Sequence, residues 1–93
     1  MKITISYSKE ADKFLKKNKG NISEDEVDAL VIQAAKKILR IEDSSIDLKK
    51  LKGKYRGSFR IRRGDIRIIF AMKKEDVLAV FVHFIDFRGN VYK

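Results

Sequence analysis

Residues 58–70 constrain the fold of this chain more than any other segment. Polar and apolar side chains alternate on both sides of a Gly-Asp pair at positions 64 and 65, and such alternation is typical of half-buried β-strands. Gly-Asp suits the tight turn of a two-residue hairpin. The segment therefore predicts an antiparallel hairpin in which Arg62 lies directly opposite Arg67.

The predicted hairpin places like charges on one face. Arg60 lies on the same side as Arg62 and Arg67, and like charges opposite each other in a sheet destabilise it. Residues 49–63 contain eight lysines and arginines and no acidic residue, whereas residues 1–48 balance nine basic with nine acidic side chains. The net charge of +9 thus arises in the second half. This asymmetry indicates a nucleic-acid or acidic-protein partner, although a merely solvated basic face is an alternative.

Two helices are predicted in the first half. Ser23 and Glu26 have the spacing of a capping box, and Ser8 is suited to cap a shorter helix over residues 9–18. The apolar side chains that follow the capping box at helical spacing are Val27, Leu30, Val31, Ala34, Ala35, Ile38 and Leu39. They form one stripe that predicts packing against a sheet.

Strands account for the rest of the predicted fold. Residues 3–7 alternate as in a strand, residues 48–53 form a basic connection, and strands follow at 54–62, 66–72 and 77–85. The last is apolar on both faces, which is typical of a central strand. The order β-α-α-β-β-β predicts a single α+β domain spanning 1–93, with two helices packed on a mainly antiparallel four-stranded sheet.

Several classes of function find no support in the residues. The chain has no cysteine and one histidine, so zinc and thiolate sites are not expected. No serine lies in a nucleophile-elbow motif, and no glycine pattern fits a phosphate loop. His83, on an apolar strand, is interpreted as an interior histidine. The chain begins like a strand rather than a signal peptide and has no stretch long enough to cross a bilayer, so we expect a cytoplasmic protein without a membrane partner.

Four motifs, in this order of elements, carry a resemblance to a known family. They are Leu-Lys-Gly at 51–53, Phe-Arg-Ile-Arg at 59–62, Gly-Asp-Ile-Arg-Ile-Ile-Phe at 64–70 and Arg-Gly-Asn-Val-Tyr at 88–92. Over nearly its whole length the chain resembles the RelE/ParE superfamily of toxins from type II toxin-antitoxin systems. The resemblance to the RelE branch implies an endoribonuclease that cleaves mRNA in the ribosomal A site. That reaction needs no metal or other cofactor, because a ribose 2′-hydroxyl attacks the adjacent phosphate.

The resemblance also implies roles for particular residues. The residues at matching catalytic positions are Arg60, Arg62, Arg67, Arg88 and Tyr92. Fixed guanidinium groups would stabilise the negative charge that develops on the phosphate. The residues expected to hold the RNA backbone without reading sequence are Lys49, Lys50, Lys52, Lys54 and Arg56.

The chain departs from the family pattern in two respects. Phe87 replaces a histidine that many relatives carry, and arginines replace a lysine that some relatives use on the basic strand. Because arginine is a poor proton acceptor, the general base is not identified, and Tyr92, His83 and Asp86 stay open as candidates.

The resemblance further implies three partners: an acidic antitoxin that folds on binding, mRNA and the 70S ribosome. Two alternatives stay open. One is a ParE-like toxin that inhibits DNA gyrase and is no nuclease. The other is a basic RNA-binding module without catalysis. The retained basic set favours the nuclease, because ParE-like members typically lack it.

Overall fold

The computed structural model describes residues 2–88, which form two helices and five strands. In chain order the elements are β1 (Ile3–Tyr7), α1 (Lys9–Lys17), α2 (Glu24–Ile38), β2 (Asp47–Lys50), β3 (Ser58–Arg63), β4 (Ile66–Lys74) and β5 (Leu78–Phe87), with a short 3-10 turn at Gly53–Tyr55 before β3. The α+β architecture with two helices is confirmed. No helix within these residues is long and apolar enough to span a bilayer.

The sheet differs in detail from the four strands expected. Its order is β1-β5-β4-β3-β2, with β1 parallel to β5 and every other pair antiparallel. The additional strand is β2, which was expected to be a connection. It was missed because it is a four-residue edge strand in which Leu48 is the only apolar side chain. The sheet is mixed because β1 lies parallel to β5, on the edge of β5 away from β4.

Strand β3 also begins later than predicted. The sequence suggested a start at Lys54, but residues 53–55 form the 3-10 turn and the strand starts at Ser58. Gly53 and Gly57 have positive φ angles of 67° and 89°, a region that other residues avoid. The backbone therefore cannot extend regularly until after Gly57.

Both predicted helix caps are present. The Ser8 Oγ accepts a hydrogen bond from the Ala11 N–H at 3.0 Å. In α2 the Ser23 Oγ accepts from the Glu26 N–H at 3.1 Å, and the Glu26 Oε1 accepts from the Ser23 N–H at 3.2 Å. These reciprocal bonds fix where α2 begins, and with it the face that packs on the sheet.

The core lies between the helices and one face of the sheet. Ala11 and Leu15 of α1 and the apolar stripe of α2 pack against inward side chains of the central strands. The fully buried inward residues on β3, β4 and β5 include Ile61, Ile68, Phe70, Val80 and Val82. The opposite face of the sheet has no helix packed against it in residues 2–88. We call this side the open face.

Tyr7 joins the parallel edge of the sheet to α2. Its hydroxyl donates a hydrogen bond to Asp28 Oδ1. Burial and the neighbouring Asp28 carboxylate raise the pKa of Tyr7 above its usual value. The phenol therefore stays protonated and keeps its hydrogen bond throughout the physiological pH range.

Removing the capping hydroxyl of α2 tests how much the helix start contributes to stability. We expect Ser23→Ala to lower the free energy of unfolding by about 1 kcal/mol, because the hydroxyl that accepts from the Glu26 N–H is lost. Chemical denaturation monitored by circular dichroism measures the change. Ser45→Ala, at an exposed loop serine, is the matched control and should leave the midpoint unchanged. Equal effects of the two substitutions would contradict the capping role.

Candidate phosphate-binding site on the open face

The hairpin register brings the predicted arginines together. Arg62 pairs with Arg67 across β3 and β4, as expected, and Arg60 lies two residues along β3 on the same face. Gly64, with φ at 56°, lies in the turn that sets this register. On the outer side of β3, Arg62 pairs with Asp47. The sheet therefore presents a row of charged residues that crosses four strands and ends at Asp86 of β5, the partner of Arg67.

Arg67 is the buried member of the set. Only 6% of the Arg67 surface is exposed to solvent. Its Nη1 donates hydrogen bonds to the carbonyl oxygens of Gly64 at 2.7 Å and Ile66 at 3.2 Å. These two acceptors belong to the hairpin itself and fix the guanidinium in place. A charged side chain this deeply buried is rare unless it is paired.

The charges around Arg67 act on its pKa. Burial lowers the pKa of this guanidinium, and the positive charges of Arg62, Arg60 and Arg88 lower it further. The Asp47 carboxylate acts in the opposite direction. Because arginine starts from such a high value, the group stays protonated at neutral pH. We call Arg60, Arg62, Arg67 and Arg88 the arginine cluster.

Asp47 is the counter-anion of the cluster. Its Oδ1 accepts a hydrogen bond from Arg60 Nη2 at 2.7 Å, and its Oδ2 lies 3.9 Å from Arg62 Nε. The Arg60 Nε is buried and has no hydrogen-bond partner within residues 2–88. One carboxylate thus engages two guanidinium groups, much as an anionic phosphate would. Sequence analysis missed Asp47 because it predicted no strand before residue 54 that would bring this carboxylate beside Arg60 and Arg62.

The C-terminal candidates are only partly described. Arg88 is exposed, and its N–H donates to the Asp65 carbonyl at 2.6 Å. This bond places Arg88 beside the hairpin turn. Tyr92 lies outside the described residues. Asp86 lies opposite Arg67, and its Oδ1 accepts a hydrogen bond from the Phe87 N–H at 2.7 Å.

Phe87 lies where many members of the family that the sequence resembles carry a histidine. Its ring packs edge-on against Phe14 of α1, with centroids 5.2 Å apart, and it contributes to the core on the helix-covered side. At this position the chain has a packing residue. Arg63 also lies away from the cluster, since its Nη1 is 2.9 Å from Glu26 Oε2 of α2.

The predicted backbone-binding residues border the arginine cluster. Lys49 pairs with Arg60 across β2 and β3, and a groove of about 440 Å³ is lined by Lys49, Lys50, Leu51, Lys52 and Arg60. Lys54 Nζ lies 5.3 Å from the centroid of the Tyr55 ring, and Arg56 is exposed in the following turn. The basic segment therefore forms a margin along one side of the cluster.

Sequence analysis did not predict the aromatic residues on the open face. Phe81 and Phe84 are each 38% exposed, although the apolar sequence of β5 predicted a strand buried on both faces. Its outward side chains are exposed because no second layer covers this face in residues 2–88. His83 was expected in the interior but is only half-buried, and it lies where a bulge shifts the register between β4 and β5.

The arrangement is suited to holding an anion rather than a cation. Among residues 2–88 no three His, Asp or Glu side chains are grouped so that they could hold a metal ion. Four arginines with one bridging carboxylate can bind phosphate oxygens through bidentate, charge-assisted hydrogen bonds. The buried position of Arg67 strengthens its field at the surface, because fewer water molecules screen it.

Comparison with solved structures relates this fold to toxins of toxin-antitoxin systems. A YafQ mutant from E. coli is 13% identical over 94% of each chain, with a TM-score of 0.61. The YoeB-YefM complex from Staphylococcus aureus contains a similar chain (16% identity, 95% and 99% coverage, TM-score 0.60). The RelB-RelE antitoxin-toxin complex from Methanococcus jannaschii also contains a similar chain, with 21% identity, coverage of 92% of this chain and 93% of that chain, and a TM-score of 0.55. No family model and no curated protein matches the sequence. The expected RelE-like fold is confirmed.

Neutralising Asp47 tests whether it competes with a bound anion. We expect Asp47→Asn to tighten binding of a single-stranded 2′-O-methyl RNA by a factor of about five, because Arg60 and Arg62 lose their internal counter-anion. Fluorescence anisotropy measures the dissociation constant. Asp76→Asn is the control, since it makes the same charge change in the exposed turn between β4 and β5. Weaker binding by Asp47→Asn would instead assign Asp47 to holding Arg60 in position.

Proposed function

We propose that this chain is the toxin of a toxin-antitoxin pair and acts as a metal-independent endoribonuclease on mRNA in the ribosomal A site. The observation that carries the proposal is the buried, hydrogen-bonded Arg67 guanidinium with Arg60, Arg62 and Arg88 around it on an open sheet face. The similarity in fold to RelE-like toxins supports the same reading.

The proposed reaction follows from what these groups can do to a phosphodiester. The ribose 2′-oxygen attacks the adjacent phosphorus, the bond to the 5′-oxygen breaks, and the products are a cyclic phosphate and a 5′-hydroxyl. The transition state gathers negative charge on the phosphate oxygens, which fixed guanidinium groups stabilise. We assign Arg67 to this role, because the hairpin carbonyls hold it before substrate binds.

The other arginines have complementary roles in the proposal. Arg60 and Arg62 exchange Asp47 for phosphate oxygens when RNA arrives, and Arg88 binds from the C-terminal side. The 2′-hydroxyl proton needs an acceptor, for which His83, Asp86 and Tyr92 remain candidates. Of these, Asp86 is the carboxylate opposite Arg67 on the open face. The basic margin from Lys49 to Arg56 would contact RNA backbone, which gives affinity without sequence preference.

The proposed regulator is an acidic antitoxin that orders on this surface. The second half of the chain carries the whole excess of positive charge, and an acidic segment is the complementary ligand. Two of the similar structures are toxin-antitoxin complexes, which supports such a partner for this chain.

Expression in a bacterial host tests the toxin role. We expect the chain alone to arrest growth and co-expression of the short protein encoded beside it to restore growth. Colony counts after induction, with immunoblots for soluble protein, give the result. Normal growth at high soluble expression would refute the toxin proposal.

Cleavage in ribosome complexes tests the enzymatic role. With an empty A site and a defined message, primer extension should detect a cut within the A-site codon. We expect Arg67→Met to reduce that cleavage by a factor of about 100 or more, because a fixed charge at the phosphate is lost. The same substitution should raise the free energy of unfolding by about 1 kcal/mol, since a buried charge is replaced by an apolar chain of similar length.

The matched control for this experiment is Arg63→Met. It makes the same chemical change four residues away, on a side chain that contacts Glu26 on the helix side, and should leave cleavage within about twofold of the parent. Equal loss in both variants would contradict the role of Arg67. Absence of any cut, together with gyrase-trapped DNA breaks, would replace the nuclease with the gyrase-inhibiting alternative.

A further inference from the structure

We infer that the open face holds a second subsite, a platform of aromatic rings that stacks unpaired RNA bases beside the arginine cluster. The platform consists of Tyr55, Phe81, His83 and Phe84. The inference takes its ligand, RNA, from the proposed function but does not depend on cleavage. It adds a binding role for residues that the proposed chemistry does not use as a group.

The four rings are continuous. Phe81 and His83 meet edge to face with centroids 4.6 Å apart, and His83 and Phe84 are nearly parallel, at 29° and 6.3 Å. Tyr55 meets Phe84 edge to face at 6.4 Å. The bulge in β5 makes this possible. Phe81 and His83, two residues apart, would share a side in a regular strand, whereas Phe84 joins them because the extra residue shifts the alternation after Val82.

The platform is supported from below, and two of its four rings, those of Phe81 and Phe84, are exposed. Leu51 and Ile69 are buried under it, and the partly buried Tyr55 packs against them. Phe81 and Phe84 are two of the three exposed large hydrophobic residues in the described part of the chain, and the third is Ile41. Two neighbouring exposed phenylalanines on a central strand form an apolar patch of the kind that marks a binding surface.

The register places the platform next to the arginine cluster. Ile69 of β4 pairs with Arg60 on one side and with Phe84 on the other. The neighbouring row on the same face contains Arg62, Arg67 and Asp86. Rows that are two residues apart along a strand are separated by about 7 Å. A nucleotide whose phosphate lies on the arginines therefore has its base within reach of Phe84.

Charge and ring chemistry together identify the occupant. A purely apolar partner would leave the adjacent guanidinium groups without counter-charge, and a compact anion would leave the rings uncovered. Single-stranded RNA supplies both phosphates and exposed base faces, and aromatic residues on a sheet surface are a common way to bind it. A duplex buries its base faces and fits the arginines alone. We therefore assign the combined surface to an unpaired RNA segment.

A single tryptophan tests the assignment directly. The chain has no tryptophan, so Phe84→Trp introduces one fluorophore at the platform. The probe is an eight-nucleotide 2′-O-methyl RNA, which lacks the attacking hydroxyl and stays intact. We expect this strand to quench the fluorescence by at least half, whereas the same sequence as a duplex, polyphosphate and polyglutamate should not. Ile41→Trp, at the exposed apolar residue away from the platform, is the control and should show no quenching.

A second pair of variants measures affinity. We expect Phe84→Ala to weaken binding of the single strand about tenfold at unchanged salt dependence, because stacking is lost while phosphate contacts persist. Arg62→Gln should instead reduce the salt dependence. Circular dichroism melts check that each variant is folded. The inference is overturned if duplex or polyphosphate quenches equally, if only polyglutamate quenches, or if folded Phe84→Ala binds like the parent.

Failure of the platform and failure of the nuclease are separable outcomes. Quenching by single strands without any cut in ribosome complexes supports the platform and removes the proposed enzyme. A-site cleavage by the parent chain, combined with full RNA affinity in Phe84→Ala, removes the platform and leaves the enzyme.

Discussion

The burial of the Arg67 charge is the constraint on which the rest of the open face depends. The guanidinium is held by carbonyl groups of the hairpin turn, including that of Gly64, so the position of the charge follows from the backbone geometry of that turn. A buried cation among other cations destabilises the fold. The core on the opposite side of the sheet must offset this cost. An anionic ligand stabilises the same arrangement, which is why the surface is suited to phosphate.

The one-sided sheet explains how a small domain can carry such a surface. Both helices pack on one face, and the rigid central strands β4 and β5 take their fixed positions from that packing. Side chains that point the other way are held by the same strands, with no helix packed over them in residues 2–88. Charged groups on regular strands keep their geometry better than groups on loops. The fold therefore places the hydrophobic core on one face of a single sheet and the arginine cluster on the other.

Asp47 and Phe84 show that the open face is organised for more than charge. Asp47 accepts a hydrogen bond from Arg60, and its negative charge limits repulsion among the guanidinium groups. Phe84 lies next to the arginine row and shares its neighbour Ile69 with Arg60. Guanidinium groups and rings thus lie side by side on one surface. Phosphate contacts alone give affinity that falls steeply with salt, whereas ring stacking adds a contribution that salt affects little.

The parts of this fold that local physics determines could be predicted, and the parts that depend on long-range pairing could not. The capping box of α2 and the pairing of Arg62 with Arg67 follow from residues close together in sequence. Strand β2 was not predicted because one apolar residue, Leu48, is too few to show an alternating pattern. Its strand conformation depends on hydrogen bonds to β3. The exposure of Phe84 could not be predicted for a related reason, because it depends on which faces of the sheet are covered. A strand apolar on both sides predicts two covering layers, and residues 2–88 supply only one of them.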